Sequence, residues 1–247
     1  MKKVWFASAA LVLATLPASA RAEESDFAKP PAPSPQWFAI EFRFAPYWPA
    51  IDTQPGLTGS PYKTLFGTMP RLLASFELDA QVLKIPHFGS LGPAFSFGYT
   101  EMSAPAPITG GGGKLSEEDT NIEVFPMYLA AVLRIDVLLR DFKIPIVPYA
   151  KLGVATTLWR VFTDSGTSTF DGKTGFGATW GEQFALGGML NLDWIDPRAA
   201  HELDNATGIN HTYLFAEWML ANLDNFGSSS GLRVGTNTVA AGLAFEF

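Results

Sequence analysis

The chain has 247 residues, contains no cysteine and carries a formal net charge of −7 at pH 7. The absence of cysteine excludes disulfides, thiolate metal sites and a thiol nucleophile, and the negative charge argues against a nucleic-acid partner. Only 17% of the residues are charged whereas 13% are aromatic, a balance that is unusual for a soluble surface and suits a surface in contact with lipid.

The first 22 residues have the three parts of a secretory signal peptide. Two lysines precede an apolar run, Val4–Leu16, and small residues follow Pro17. The apolar run is too short to cross a membrane comfortably as a helix. We therefore predict three regions: a cleaved signal peptide at residues 1–22, a proline-rich periplasmic linker at residues 23–36 and a barrel at residues 37–247.

Eight segments of the remaining chain alternate between apolar and polar residues with a period of two, as β-strands with two different faces do. In the first segment, Phe42 and Phe44 point one way while Glu41 and Arg43 point the other. The fourth segment changes parity near Pro126, which predicts a β-bulge there because proline cannot donate to a sheet.

The connectors predict how the strands cross the membrane. Those after strands one, three, five and seven are long or rich in glycine and serine, and those after strands two and four are compact. After strand six, Asp196 as N-cap and Pro197 at the first helical position predict a short helix within 196–210. An even strand number puts both termini on one side, the periplasm, and the long connectors outside the cell.

These patterns predict an all-β fold, an eight-stranded antiparallel transmembrane β-barrel in the cell outer membrane. Ten strands are the alternative, if residues 46–68 and 158–180 extend as ribbons. A soluble periplasmic barrel that binds a ligand would show the same alternation with the faces reversed. Aromatic residues near strand ends favour the membrane, since such residues form interfacial girdles; they are Trp37, Trp48, Trp159, Trp180, Trp194, Tyr47 and Tyr99.

The last six residues, Gly242–Phe247, resemble the C-terminal signal of outer-membrane barrels, with Gly242 followed by Phe245 and Phe247 at the third-last and last positions. This resemblance implies recognition by the barrel-assembly machinery. Through the segments 193–197 and 212–217, the chain is also similar to a little-characterised family of small outer-membrane β-barrels of Gram-negative bacteria, best represented in myxobacteria. That similarity implies a location among outer-membrane lipid and lipopolysaccharide, and no known chemistry.

The polar faces of the strands predict a network of seven acids and four bases inside the barrel. The favoured interpretation is a buried plug in which carboxylates pair with arginine and lysine, and the alternative is a selectivity ring in a narrow pore. The excess of acids predicts that some are hydrated, protonated or bound to a cation. The network consists of Glu41, Arg43, Arg71, Glu77, Asp79, Glu123, Arg134, Asp136, Lys151, Asp193 and Glu217.

Catalysis has little support in the sequence. His87, His201 and His211 all fall on the predicted periplasmic side without a serine partner, and two histidines without a third ligand do not predict a zinc site. We therefore predict no catalytic residue, metal or cofactor. The favoured function is a non-enzymatic structural or surface-interaction barrel, the alternative is a narrow channel for small solutes, and a lipid-modifying enzyme ranks a distant third.

Overall fold

A computed structural model describes residues 36–107, 115–170, 172–228 and 231–247. The predicted signal peptide and all but the last residue of the predicted linker lie outside the described residues. Eight long strands follow one another along the described chain: β1 Phe38–Tyr47, β2 Arg71–Ala80, β3 Gly89–Pro107, β4 Leu115–Arg134, β5 Ile146–Thr163, β6 Phe176–Asn191, β7 His211–Leu223 and β8 Thr236–Glu246.

Strand pairing closes these eight strands into an antiparallel barrel. Each strand pairs with the next along the chain, and β8 pairs with β1, where Leu243 lies opposite Phe42. The predicted eight-stranded barrel is therefore confirmed. Two short strands, Leu83–Ile85 and Gly166–Thr167, extend the sheet to ten strands without entering the closed ring, and Thr169–Phe170 pairs separately with Lys173–Thr174.

We call the side of the barrel where β1 begins and β8 ends the terminal end and the opposite side the loop end. The connector after β1 returns over the loop end as a 3-10 helix, Ala50–Thr53, and helix α1, Pro61–Phe66. The terminal end carries helix α2, Val137–Arg140, and helix α3, Pro197–Thr207. No helix in the described ranges is long and apolar enough to cross a membrane.

Helix α3 confirms the helix predicted after strand six. The Asp196 carboxylate accepts hydrogen bonds from the backbone amides of Arg198 and Ala199, both at 3.1 Å, which satisfies donors that the first turn leaves free. The helix ends at Gly208, whose φ of +76° is the left-handed conformation that glycine adopts without strain.

The outer surface of the barrel is a belt of large apolar side chains. Leu72, Leu152 and Val239 project outward with 65%, 64% and 60% of their surface exposed. A contiguous apolar surface of this extent is costly in water and stable against lipid. The outward face is therefore the lipid-facing one, as the alternation predicted.

The predicted β-bulge at Pro126 is wrong. Phe97 lies opposite Met127 and Thr100 lies opposite Val124, so the register between β3 and β4 is the same on both sides of the proline. The alternation changes because the interior changes: toward the loop end Ile122 and Val124 are buried inside the barrel. Apolar residues therefore mark the outward face only along the lipid-facing part of the strand.

Two residues of the predicted aromatic girdle also face inward. Tyr47 is buried and its hydroxyl donates to the carbonyl oxygen of Val234 at 2.5 Å. Trp159 packs against the interior, and its Nε1 donates to Thr179 Oγ1 at 3.2 Å. Each has the same parity as the inward charged residues of its own strand. The prediction of a girdle considered only that they lie near strand ends. The other five are exposed: Trp37, Trp48, Tyr99, Trp180 and Trp194.

Gly242 lets β8 approach β1 closely at the seam of the barrel. A Cβ atom there would lie 1.9 Å from the Phe42 carbonyl oxygen and 2.9 Å from Phe215 Cζ. We expect Gly242→Ala to lower the free energy of unfolding by about 1–3 kcal/mol through overpacking, measured by urea titration in lipid vesicles. Gly188→Ala is the control, because no atom lies within 4 Å of its added Cβ. Equal stabilities of the two variants would contradict the close approach. Because lipid vesicles contain no assembly machinery, a lower stability of Gly242→Ala cannot come from failed recognition by that machinery.

Candidate functional site

The interior of the barrel is divided into three layers along its axis. Apolar side chains fill the loop end, buried charges fill the middle, and a cavity opens at the terminal end. We call these layers the loop-end plug, the ion-pair cluster and the terminal cavity.

The loop-end plug is built partly by the connector after β1. Helix α1 places Tyr62 and Phe66 inside the barrel mouth with their rings stacked at 5.2 Å, and the Tyr62 hydroxyl lies 3.2 Å from Met102 Sδ. Between this plug and the ion-pair cluster is a void of about 20 Å³, room for about one water molecule. Other large side chains of the plug include Tyr47, Ile51, Leu73, Ile122, Val124 and Val234.

Arg43 is at the centre of the ion-pair cluster. Its Nη2 atom lies 2.7 Å from a Glu77 oxygen and 3.0 Å from a Glu41 oxygen, and its Nε lies 2.8 Å from Glu217. Its Nη1 donates to the Tyr128 hydroxyl at 2.5 Å, and that hydroxyl donates in turn to Glu77. The guanidinium therefore ties together three carboxylates that come from three different strands.

Lys151 and Arg134 complete the ion-pair cluster. Lys151 Nζ lies 2.6 Å from Glu41 and 2.7 Å from Glu77, and Arg134 Nη2 lies 2.7 Å from Asp79 and 3.0 Å from Glu41. Together with Glu217, four acids meet three bases, for a formal charge of −1, and every base contacts at least two acids. Such contacts offset the cost of removing charges from water.

Strand register explains why the cations are needed. Glu41 lies directly opposite Glu77 on neighbouring strands, and both side chains are fully buried. Like charges in this position destabilise a sheet. Arg43 and Lys151 each contact both carboxylates, so the pair is held by two bridging cations.

The terminal cavity has a volume of about 600 Å³. Its wall includes Asp193, whose carboxylate lies 2.5 Å from His211 Nδ1 and accepts from Asn191 Nδ2 at 3.0 Å and from the Thr212 amide at 3.2 Å. Burial opposes ionisation of this carboxyl, but the three hydrogen bonds outweigh burial and lower the pKa of Asp193. Glu246 lines the same cavity and accepts hydrogen bonds from Gln81 and from the Tyr213 hydroxyl.

The structure brings together seven of the eleven residues of the predicted network. They are the members of the ion-pair cluster: Glu41, Arg43, Glu77, Asp79, Arg134, Lys151 and Glu217. Arg71 also points inward, but it lies at the loop end, where Nη2 donates to the Phe66 carbonyl oxygen at 3.2 Å. Asp193 follows the end of β6 and lines the terminal cavity instead.

The other two predicted residues lie outside the ion-pair cluster, Glu123 on the outer surface and Asp136 on the wall of the terminal cavity. Glu123 points outward and pairs with Arg160 at 2.7 Å, because β4 has no bulge to turn it inward. Asp136 lies beyond the end of β4, where it precedes helix α2 and pairs with Arg140 at 2.9 Å. The strand ends before Asp136, so alternation no longer decides where its side chain points.

Two buried tyrosines were missed by the sequence-based prediction. The Tyr149 hydroxyl donates to Glu217 at 2.8 Å, and Tyr128 bridges Arg43 and Glu77. Tyr149 is two residues from Lys151 on the same face, so alternation alone could have found it. Tyr128 has the parity of Arg134, so the alternation after Pro126 also places it inward.

Two aromatic residues of the predicted assembly signal pack on the outside of the seam. The Phe247 ring stacks on Phe38 at 4.9 Å with an interplanar angle of 7°, and the Phe245 ring meets Phe42 edge-on at 6.4 Å. These contacts help to close the barrel between β1 and β8. Recognition by the assembly machinery stays a prediction.

The histidines are dispersed at the terminal end. His87 lies in a turn with a φ of +59°, His201 lies in α3, and His211 contacts Asp193. Among the described residues, no group of three or more histidine, aspartate or glutamate side chains is placed to hold a metal ion.

No protein-family model matches the chain, and no curated protein matches it by sequence. Three solved structures share 11–13% identity over 86–87% of this chain. They are the outer membrane protein OprG from Pseudomonas aeruginosa (98% of that chain, TM-score 0.48), the attachment invasion locus protein Ail of Yersinia pestis in complex with the heparin analogue sucrose octasulfate (97%, 0.43) and the N-terminal β-barrel domain of Pseudomonas aeruginosa OprF (100%, 0.38). At these scores the similarity carries no argument, so the fold assignment rests on the strand pairing of this chain.

Proposed function

We propose that the protein is a sealed, non-enzymatic outer-membrane β-barrel that acts through its outer surface and loops rather than by passing solutes. The observation that carries this proposal is the filled interior. The loop-end plug and the ion-pair cluster lie in series, and the void between them is only about 20 Å³. A conducting pore needs a continuous aqueous path, which two packed layers in series do not provide.

The orientation in the membrane follows from the same proposal. The terminal end lies in the periplasm, the signal peptide is cleaved and the loop end faces outward, as in outer-membrane barrels generally. The loop end presents exposed apolar side chains on folded connectors, including Met69 and Phe226. These residues are available to lipopolysaccharide or to a surface partner.

Single-channel recording tests the seal. We expect the purified protein, inserted in a planar bilayer, to show no discrete conductance steps, because the loop-end plug and the ion-pair cluster are both packed. Heat-dependent migration of the same sample on a gel confirms that the barrel is folded. Ion-selective steps that weaken in Glu77→Gln would support the narrow channel instead, since that carboxylate lies at the middle of any path through the cluster.

A further inference from the structure

The terminal cavity is closed toward the loop end. The ion-pair cluster forms its floor through Arg134, which lines the cavity and also contacts Asp79 and Glu41. The cavity volume of about 600 Å³ is within the range of small-ligand sites, about 300–1,000 Å³. A blind cavity of this size can hold a solute without passing it across the membrane.

The charges that line the terminal cavity divide into compensated and uncompensated groups. Arg134 contacts two carboxylates of the cluster, and Arg140 contacts Asp136 and Asp141. Lys143 lines the same cavity and makes no hydrogen bond or ion pair with the described part of the chain. Its ammonium group is therefore available to a ligand.

One carboxylate in the cavity has no cationic contact within the described ranges. Glu246 accepts hydrogen bonds from neutral donors, Gln81 and Tyr213, whereas Asp193 pairs with His211 at 2.5 Å. Neutral donors satisfy the oxygens of Glu246 but leave its negative charge in place. The cavity thus has one free positive group, Lys143, and one negative group held only by neutral donors, Glu246.

These opposite charges lie on opposite sides of the cavity. Lys143 is in the turn between β4 and β5, Glu246 is at the end of β8, and β8 is four strands from β4 around the ring of eight. Asp193 lies on the Lys143 side instead, because it follows the end of β6, where the Asn191 amide donates to the Pro145 carbonyl oxygen at the start of β5 at 2.9 Å. The field of the lining therefore runs across the mouth, from one wall to the other.

The backbone at Lys143 is strained, which supports a role for this side chain. Its φ of +57° is in the left-handed region, which residues other than glycine rarely adopt. The turn holds it there through the hydrogen bond from the Ile144 amide to the Leu138 carbonyl oxygen at 2.9 Å. Strain of this kind is kept where the surrounding structure or a function requires it.

We propose that the terminal cavity binds a small zwitterion, such as a short unblocked peptide, from the periplasmic side. Its carboxylate lies toward Lys143 and its ammonium group lies toward Glu246. The apolar lining side chains Leu139 and Val147 face the uncharged part of the ligand. The assignment rests on the sealed barrel only for the claim that the cavity is blind.

Calorimetric titration of the purified protein in detergent tests this proposal with three probes of one size class: alanyl-alanine, its N-acetyl form and its C-terminal amide. We expect alanyl-alanine to bind at least about tenfold more tightly than either capped form, because each capped form lacks one charge. Equal affinities for the three probes, or no binding of alanyl-alanine at millimolar concentration, would overturn the proposal.

Two substitutions separate charge from strain. Lys143→Gln should weaken alanyl-alanine binding at least about tenfold and abolish its preference over the amide, while Lys84→Gln, on the exposed surface of the same end, should change nothing. Lys143→Gly should lose binding equally while keeping the barrel folded, since glycine accepts the positive φ. Retained binding in Lys143→Gly would overturn the proposal, because that variant lacks the ammonium group. Conductance is measured separately. A barrel that conducts but binds the peptide would contradict only the proposed seal, and a barrel that does not conduct and does not bind would contradict only the peptide site.

Discussion

Arg43→Met is expected to lower the free energy of unfolding by about 3–5 kcal/mol, the cost of removing one partner from a buried ion pair. Arg43 contacts Glu41, Glu77 and Glu217, and its side chain is 1% exposed. Without it, the four acids of the ion-pair cluster face two bases, so the formal charge of the cluster changes from −1 to −2. Urea titration of the protein in lipid vesicles measures the loss of unfolding free energy, with heat-dependent gel migration as the readout of the folded fraction.

The matched control is Arg160→Met on the outside of the barrel. Arg160 pairs with Glu123 at 2.7 Å, but 46% of its side chain is exposed, and exposed pairs contribute about 0–1 kcal/mol. The double variant Arg43→Met with Glu217→Gln restores the cluster charge to −1 and should recover part of the stability. A loss for Arg43→Met as small as that for Arg160→Met would mean that water or lipid headgroups reach the cluster.

The inward direction of the cluster's charged side chains could be predicted, because the strands alternate between apolar and charged residues along this part of the barrel. Glu41 and Arg43 alternate with outward phenylalanines, and the same logic located Glu77 and Lys151. Their pairing could not be predicted, because the register between β1 and β2 and the reach of each side chain are tertiary properties.

Glu123 shows where alternation fails. Toward the loop end the interior is apolar and the outward face carries Glu101, Glu123 and Arg160, so the two faces exchange polarity although the strand continues without a shift. Alternation cannot distinguish that exchange from a bulge. Helix α1 was missed for a related reason: its apolar residues, such as Tyr62, fill the barrel mouth, which a local sequence pattern does not reveal.

Leu243→Arg is expected to lower the free energy of unfolding in lipid vesicles by about 2–4 kcal/mol, because a charge in the middle of the lipid-facing belt must leave water. Leu243 projects outward on β8, between Phe42 on β1 and Leu214 on β7. The control is Asn222→Arg on the outward face of β7 near the loop end, where Asn222 already bonds to Glu182 at 2.8 Å. At this polar edge the cost should be about 0–1 kcal/mol.

The difference between these two variants decides between a membrane barrel and a soluble one. In lipid, Leu243→Arg is costly because it places a charge in the apolar belt, formed by residues such as Leu152 and Val239, that contacts the lipid chains. In water, the same substitution would replace an exposed leucine by a charge, which is neutral or favourable for solubility. Equal stabilities of the two variants would therefore place the outward face in water, and the whole transmembrane assignment would have to be abandoned.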